Sequence, residues 1–130
     1  LNGVLRSAMS TSFENFFLAQ RMVFVGDDVR IENPRYYPHK SKGDVNDLLD
    51  LSVQVGRLQE WCEAQGANVE LVWPRTWKGT VPKPIHNRRV LEALSDVELK
   101  LLPKSPRART YNHNMLDAVG LGLWALGRMR

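Results

Sequence analysis

Two short alternating segments, Val29-Arg30-Ile31-Glu32 and Val69-Glu70-Leu71-Val72, frame a long helical pattern, and this succession constrains the fold more than any other feature of the chain. Apolar and polar residues that alternate with period two mark half-buried strands. Between them, Leu48, Leu51, Val55, Leu58 and Cys62 recur at i, i+3, i+7, i+10 and i+14, the stripe of a helix that Asp44 or Asn46 caps and that runs to about Gln65, with Gly66 as its C-cap. A helical crossover of this length returns the second strand parallel to the first. Downstream, Ile85–Leu94, Asp96–Leu102 and Asn112–Arg130 read as helices, the last with Met115, Ala118, Val119, Gly122, Leu123 and Leu126 on one side. Strand, helix, strand, helix, helix predicts an α/β layer with parallel strands.

The remaining segments are less regular. Gly3-Val4-Leu5 has the look of a strand, and Ser10-Thr11-Ser12 can cap a short helix from Phe13. Met22–Val25 is an apolar run suited to a strand or a helix end, and Gly26-Asp27-Asp28 reads as a turn. Residues 35–43 form a polar, aromatic-studded loop, and Arg75–Pro84 and Pro103–Thr110 read as basic loops. The 130 residues are expected to form a single domain, 1–130, and 43% hydrophobic with 25% charged residues excludes collagen-like, low-complexity and disordered classes. One cysteine, Cys62, excludes an internal disulfide and a cysteine-built zinc cluster, and points to a reducing, cytoplasmic compartment. No apolar run approaches the roughly 18 residues of a membrane span.

The net charge of +4 conceals an asymmetry. Residues 1–74 carry seven Lys and Arg against ten Asp and Glu, whereas residues 75–109 carry nine against three. A basic segment of this kind suits a polyanion partner or a solvated basic face.

Three polar residues stand apart from that pattern. Glu32 closes a strand, where α/β sheets place their sites. Asp117 interrupts an apolar helix, four residues after His113, so the two share a face. Together Glu32, His113 and Asp117 make an oxygen, oxygen, nitrogen set suited to Mg²⁺ or Mn²⁺, and a pair of such ions supports phosphodiester hydrolysis.

Four segments in order then resemble one family. Ile31-Glu32-Asn33-Pro34, followed by Tyr36-Tyr37-Pro38, is similar to the strand end of RuvC-type Holliday-junction resolvases and their phage-associated relatives, in the ribonuclease-H-like superfamily. Asn46-Asp47-Leu48 with Gly56 resembles the helix that follows. Trp73-Pro74-Arg75-Thr76-Trp77-Lys78-Gly79 with Pro82-Lys83 resembles the family's basic stretch, and His113–Trp124 its final helix.

The resemblance implies a ribonuclease-H-like mixed sheet flanked by helices. It also implies a Mg²⁺-dependent, two-metal endonuclease that cuts four-way DNA junctions as a homodimer in a bacterial or phage-infected cell. Glu32 and Asp117 would be metal carboxylates, and His113 would ligate metal or move a proton. Lys83 would stand by the scissile phosphate. Arg75, Lys78, Arg88 and Arg89 would hold backbone phosphates, and Tyr36, Tyr37 and Trp77 could stack on unpaired bases or pack under a loop. Leu48, Leu51, Val55 and Leu58 could serve a dimer face or the core.

One departure is plain. The family's first strand carries an Asp-Pro-Gly whose Asp binds metal, and no Asp precedes Glu32 in that context. Leu1-Asn2-Gly3-Val4 is similar to the residues just after it, so the first strand is expected to be truncated. The alternative is a non-catalytic nucleic-acid-binding module with an incomplete metal site.

Overall fold

The computed structural model describes residues 3–12, 14–16, 23–39, 43–105 and 110–129. Leu1 and Asn2, Phe13, Met22, Lys40–Lys42, Arg107 and Arg109, which enter the expectations above, lie outside the described residues. The chain divides into two compact units, Ser12–Thr76 and Leu1–Thr11 with Trp77–Arg130.

The first unit is a strand–helix–strand motif. Strand β1 (Asp28–Glu32) pairs in parallel with β2 (Asn68–Val72), Asp28 opposite Asn68 and Glu32 opposite Val72. Two backbone bonds extend the ladder, Asn68 N–H to Asp27 O at 2.7 Å and Asn33 N–H to Val72 O at 2.8 Å. Asp28, expected in the turn, is the first residue of β1. Helix α1 (Val45–Ala64) connects the strands. Of its two possible caps it uses Asp44, whose Oδ1 accepts the Asn46 N–H at 2.9 Å. It ends where Gly66 takes a φ of +87°, with Gly66 N–H on Glu63 O and Ala67 N–H on Cys62 O. That paired closure needs a left-handed residue, which glycine adopts at no steric cost. Before the strand, Ser12 Oγ accepts the Asn15 N–H at 3.2 Å, the start of a helical turn at residues 14–16.

Ile31, Val55, Cys62, Ala67 and Val72 form the buried side of this unit. Burial, and secondarily the charge of Glu63, pushes the Cys62 thiol up, away from a reactive thiolate. The helical stripe is buried only in part: Leu51, counted on the apolar face, is exposed. Five-residue strands span about 17 Å, whereas twenty helical residues span about 30 Å, so the strands cover roughly half of α1. Val45, Leu49 and Val53, spaced by four residues on α1, are also exposed.

The second unit is helical. The boundary between the units falls within α2 (Pro74–Lys78), and α3 (Lys83–Glu92), α4 (Asp96–Leu99) and α5 (His113–Ala125) follow. The expected basic loop Arg75–Pro84 is therefore helical in its first half. Pro74 pre-sets the first turn, and burial of Trp77 at 3% exposure holds it. Asn112 caps α5, its Oδ1 accepting the N–H groups of Asn114 and Met115. Val90, Leu94, Leu102, Met115, Leu116, Val119 and Leu123 form the core. Trp77 is seated against α5 at Gly120, where a Cβ would lie 2.9 Å from both Trp77 Cζ3 and Val90 Cγ2.

Gly3-Val4-Leu5 is not a strand. Its polar backbone is taken up instead by an ion pair of the buried Glu98 with the half-buried Arg128. Glu98 accepts the Leu5 N–H at 2.8 Å and faces both Nη atoms of Arg128 at 2.8 Å, while Arg128 also donates to Gly3 O and Ala93 O. Glu98 also closes a capping box with Ser95 at the start of α4. Arg128 reaches this point because Gly127, at φ +72°, turns the chain back after α5.

The α/β class and the parallel pairing match expectation. Among the described residues the sheet has two strands, and the larger mixed sheet of a ribonuclease-H-like fold is not seen. No helix among the described residues is long and apolar enough to cross a membrane.

Candidate functional site

The first unit presents its chemistry at the C-terminal edge of the parallel strands. Glu32, half-buried, ends β1, and the chain continues through Asn33-Pro34-Arg35-Tyr36-Tyr37. β2 leaves the same edge through Trp73-Pro74-Arg75. The two exits cross. The Arg35 guanidinium lies 3.8 Å from the centre of the Trp73 ring, and the Arg75 guanidinium 4.2 Å from that of Tyr37. Each exit thus gives an arginine to the other's aromatic ring, an attraction between cation and π-face. The in-register pairing of Glu32 with Val72 fixes this crossing, because it starts both exits at the same level. Trp73 is 49% exposed and Tyr36 44%, so aromatic surface and guanidinium groups face solvent together. Elsewhere in this unit, Arg30 pairs with Glu70 at 2.9 Å and Arg57 donates to Gln54.

In the second unit Asp117, on α5, is the centre. Its Oδ2 lies 3.3 Å from Lys78 Nζ and its Oδ1 3.7 Å from His86 Nε2. Lys78 ends α2 and His86 lies on α3, so three helices meet at one carboxylate. His86 is buried, with its ring edge-on to Trp77 at 5.0 Å between centres. The close approach at Gly120, one turn beyond Asp117, brings Trp77 and α3 against α5. Sequence assigned no role to His86, and thirty-one positions separate it from Asp117 without any local pattern to connect them.

The other expected residues are placed as follows. His113 is exposed at the first position of α5, in the turn before Asp117. Lys83 is exposed at the start of α3. Arg88 and Arg89 are exposed on α3, Arg88 at 3.8 Å from Glu92. Arg75 is exposed and stacks on Tyr37. Trp77, expected at a nucleic-acid surface, is instead a core residue, and its burial keeps it from stacking on a base. Sequence also missed Arg35 and Trp73, although each strand exit visibly carries an arginine beside an aromatic.

Glu32 belongs to the first unit, and His113 and Asp117 belong to the second. Among the described residues no three His, Cys, Asp or Glu side chains are placed to hold a metal ion. Both oxygens of Asp117 already face a basic side chain, and Lys78 already supplies a cation there. The residues as placed therefore do not fit a bound divalent ion.

The second unit carries eleven Lys and Arg against four Asp and Glu, the first seven against ten. In the second unit, pairing accounts for most of the carboxylates: Glu92 with Arg88, Glu98 with Arg128, Asp117 with Lys78. The Arg128 guanidinium and the Leu5 and Ser95 N–H groups hold the Glu98 carboxyl far below the usual carboxylate range. No protein-family model matches the chain, and no curated protein and no solved structure is significantly similar to it.

Proposed function

We propose that this chain is a structure-selective DNA endonuclease resembling the RuvC-type resolvases, acting by phosphodiester hydrolysis on four-way junctions. The observation that supports it best is the edge that carries Glu32. There a strand-end carboxylate opens one of two strand exits whose rings, Trp73 and Tyr37, each carry a guanidinium group. Guanidinium groups suit phosphates, and exposed aromatic faces suit unpaired bases of a branched substrate. The exposed cations Lys83, Arg88 and Arg89 on α3 add sequence-independent phosphate contacts. In this reading Glu32 and Asp117 are the catalytic carboxylates, with His113 beside Asp117 and Lys83 at the phosphate. The resemblance also brings a requirement for Mg²⁺ or Mn²⁺ and a homodimer. The exposed Val45, Leu49 and Val53 of α1 are the face to challenge for the dimer, by measuring the mass in solution of Leu49→Lys/Val53→Lys.

The test is a labelled four-way junction incubated with the protein, with and without Mg²⁺. Paired nicks that need Mg²⁺ and vanish in Glu32→Gln and in Asp117→Asn support the reading. Absence of nicks with Mg²⁺ and with Mn²⁺ overturns it. A second reading is a nucleic-acid-binding module without cutting, and the engagement of Asp117 by Lys78 and His86 favours it. Junction binding that Mg²⁺ does not change, with no nicks, would select that reading.

A further inference from the structure

α5 carries two glycines two residues apart, and their surroundings differ. At Gly120 a Cβ would meet Trp77 and Val90 at 2.9 Å, so the missing side chain serves close packing. At Gly122 a Cβ would have nothing within 4 Å. The space left there belongs to a cavity of about 450 Å³ between α5 and residues 4–9, both in the second unit. Ala118, four residues before Gly122, lines it as well. Val4, Met9 and Leu126 stand around it at 47%, 53% and 56% exposure. Its wall is fixed at two points, since Arg128 donates to Gly3 O and Glu98 accepts the Leu5 N–H, while Leu5 and Ala8 pack on the core. A concave space of this volume, mostly apolar with a few polar groups, has the make-up of a small-molecule site.

The charged part of the lining is cationic. Arg6 and Arg128 contribute to it, and no Asp or Glu does. The Arg128 guanidinium is matched by Glu98. Arg6 is exposed and has no ion-pair partner among the described residues. Residues 6–9 form the same wall, and among the described residues nothing donates to or accepts from their backbone. An apolar interior with a guanidinium and open N–H groups at its wall suits an anionic head on an alkyl chain. We propose that this cavity binds an alkyl carboxylate, a ligand of the fatty-acid type. Its chain lies over Ala118 and Gly122, between Val4, Met9 and Leu126, and its carboxylate meets Arg6. Covering three half-exposed apolar side chains supplies the driving force. The site is separate from the nuclease reading, because Glu32, Lys83, His113 and Asp117 are not among its lining residues.

The test is calorimetric titration of the full chain with decanoate, below the concentration at which it forms micelles. Saturable binding is expected, and each methylene removed from the chain should weaken it by up to about fourfold. Gly122→Leu puts a side chain into the cavity and is expected to abolish decanoate binding. Leucine is also the better helix former, and circular dichroism checks that the variant folds. Should it fail to fold, Ala118→Leu, at an exposed position, fills the cavity in its place. Arg6→Gln is expected to weaken decanoate about two- to fivefold, the scale of a solvent-exposed ion pair, and to leave the binding of the neutral alcohol decanol unchanged. The inference is overturned if the native chain does not bind decanoate, or if binding survives the cavity-filling variant. It is overturned equally if decanol binds the native chain as tightly as decanoate, or if Arg6→Gln weakens both by the same factor.

Discussion

The two units treat the same residue types in opposite ways. In the helical unit, which carries the charge surplus, arginine and lysine neutralise carboxylates: Arg128 on Glu98, Lys78 on Asp117. Glu98 is 3% exposed, so the pairing there lies in the interior. In the strand–helix–strand unit, which is acidic overall, most carboxylates are exposed and two of the arginines lie over aromatic rings instead. The difference teaches what each unit's cations are for. Where an acid is buried, a cation is spent internally, while Arg6, Lys83, Arg88, Arg89, Lys100 and Lys104 are exposed. Where acids stay in water, an arginine remains on the surface as a plate beside Trp73 or Tyr37.

This contrast breaks first at Trp77. The helical unit is closed around that side chain, which touches His86, Lys78 and the Gly120 surface of α5. Trp77→Ala is expected to destabilise the protein by about 3–5 kcal/mol, the range for emptying an aromatic core site. Hydrogen exchange should show protection lost in α3 and α5, with the amides of β1 and β2 affected far less. Equal loss in both units would show that they do not pack as separate cores.

The buried acid of the helical unit gives the next test, through pH. The folded-state pKa of Glu98 is depressed, with Arg128 the largest cause. A depressed carboxylate contributes stability that is fully present above its unfolded pKa, near 4.3 on the reference scale, and is lost as pH falls toward the folded value. Glu98→Gln is therefore expected to melt well below the native protein at pH 7. The gap in Tm should narrow steadily between about pH 5 and pH 2. A gap that holds constant across that range would mean the effect is packing and not charge.

Gly120 comes next. A methyl group there would stand 2.9 Å from Trp77 Cζ3 and Val90 Cγ2. Gly120→Ala should cost about 1–3 kcal/mol by over-packing, read as a shift in urea midpoint without a change in slope. Gly56, in the middle of α1, has nothing within 4 Å of its Cβ position. Gly56→Ala should therefore stabilise by up to about 1 kcal/mol, the helix-propensity gain. Two glycine-to-alanine changes of opposite sign, one in each unit, test the packing contrast directly.

The parts legible in the sequence are those set by local chemistry. The period-two runs placed β1 and β2 within a residue, and Asp44 with Gly66 bracketed α1, because alternation and capping act over a few residues. The misread parts are decided by distant partners. Arg75–Pro84 reads as a basic loop, yet Trp77 finds a hydrophobic seat forty-three positions away at Gly120 and pulls the turn into a helix. Leu5 was expected in a strand, but its N–H goes to Glu98. The candidate site divides likewise: Glu32 at a strand end was visible, and the partners of Asp117 were not.

The smallest effect sharpens the comparison most. Arg35→Ala and Arg75→Ala each remove an exposed cation–π contact, expected to be worth only about 0.5–1 kcal/mol of stability. Arg88→Ala removes a solvent-exposed i, i+4 ion pair in the helical unit, expected at about 0.3–0.5 kcal/mol. In melting experiments the three variants should therefore be nearly alike. Against single-stranded DNA labelled with 2-aminopurine they should differ. Arg88→Ala loses one phosphate contact, which weakens binding to single strand and duplex by similar factors and lowers the salt dependence of both. Loss of Arg35 or Arg75 instead disturbs an aromatic edge. Binding should then fall more for single strand than for duplex, and the 2-aminopurine quenching should diminish with it, because stacking requires an unpaired base. If all three variants weaken single strand and duplex in the same proportion, the arginines of the strand edge are phosphate contacts like those of α3, and the distinction between the two units reduces to net charge.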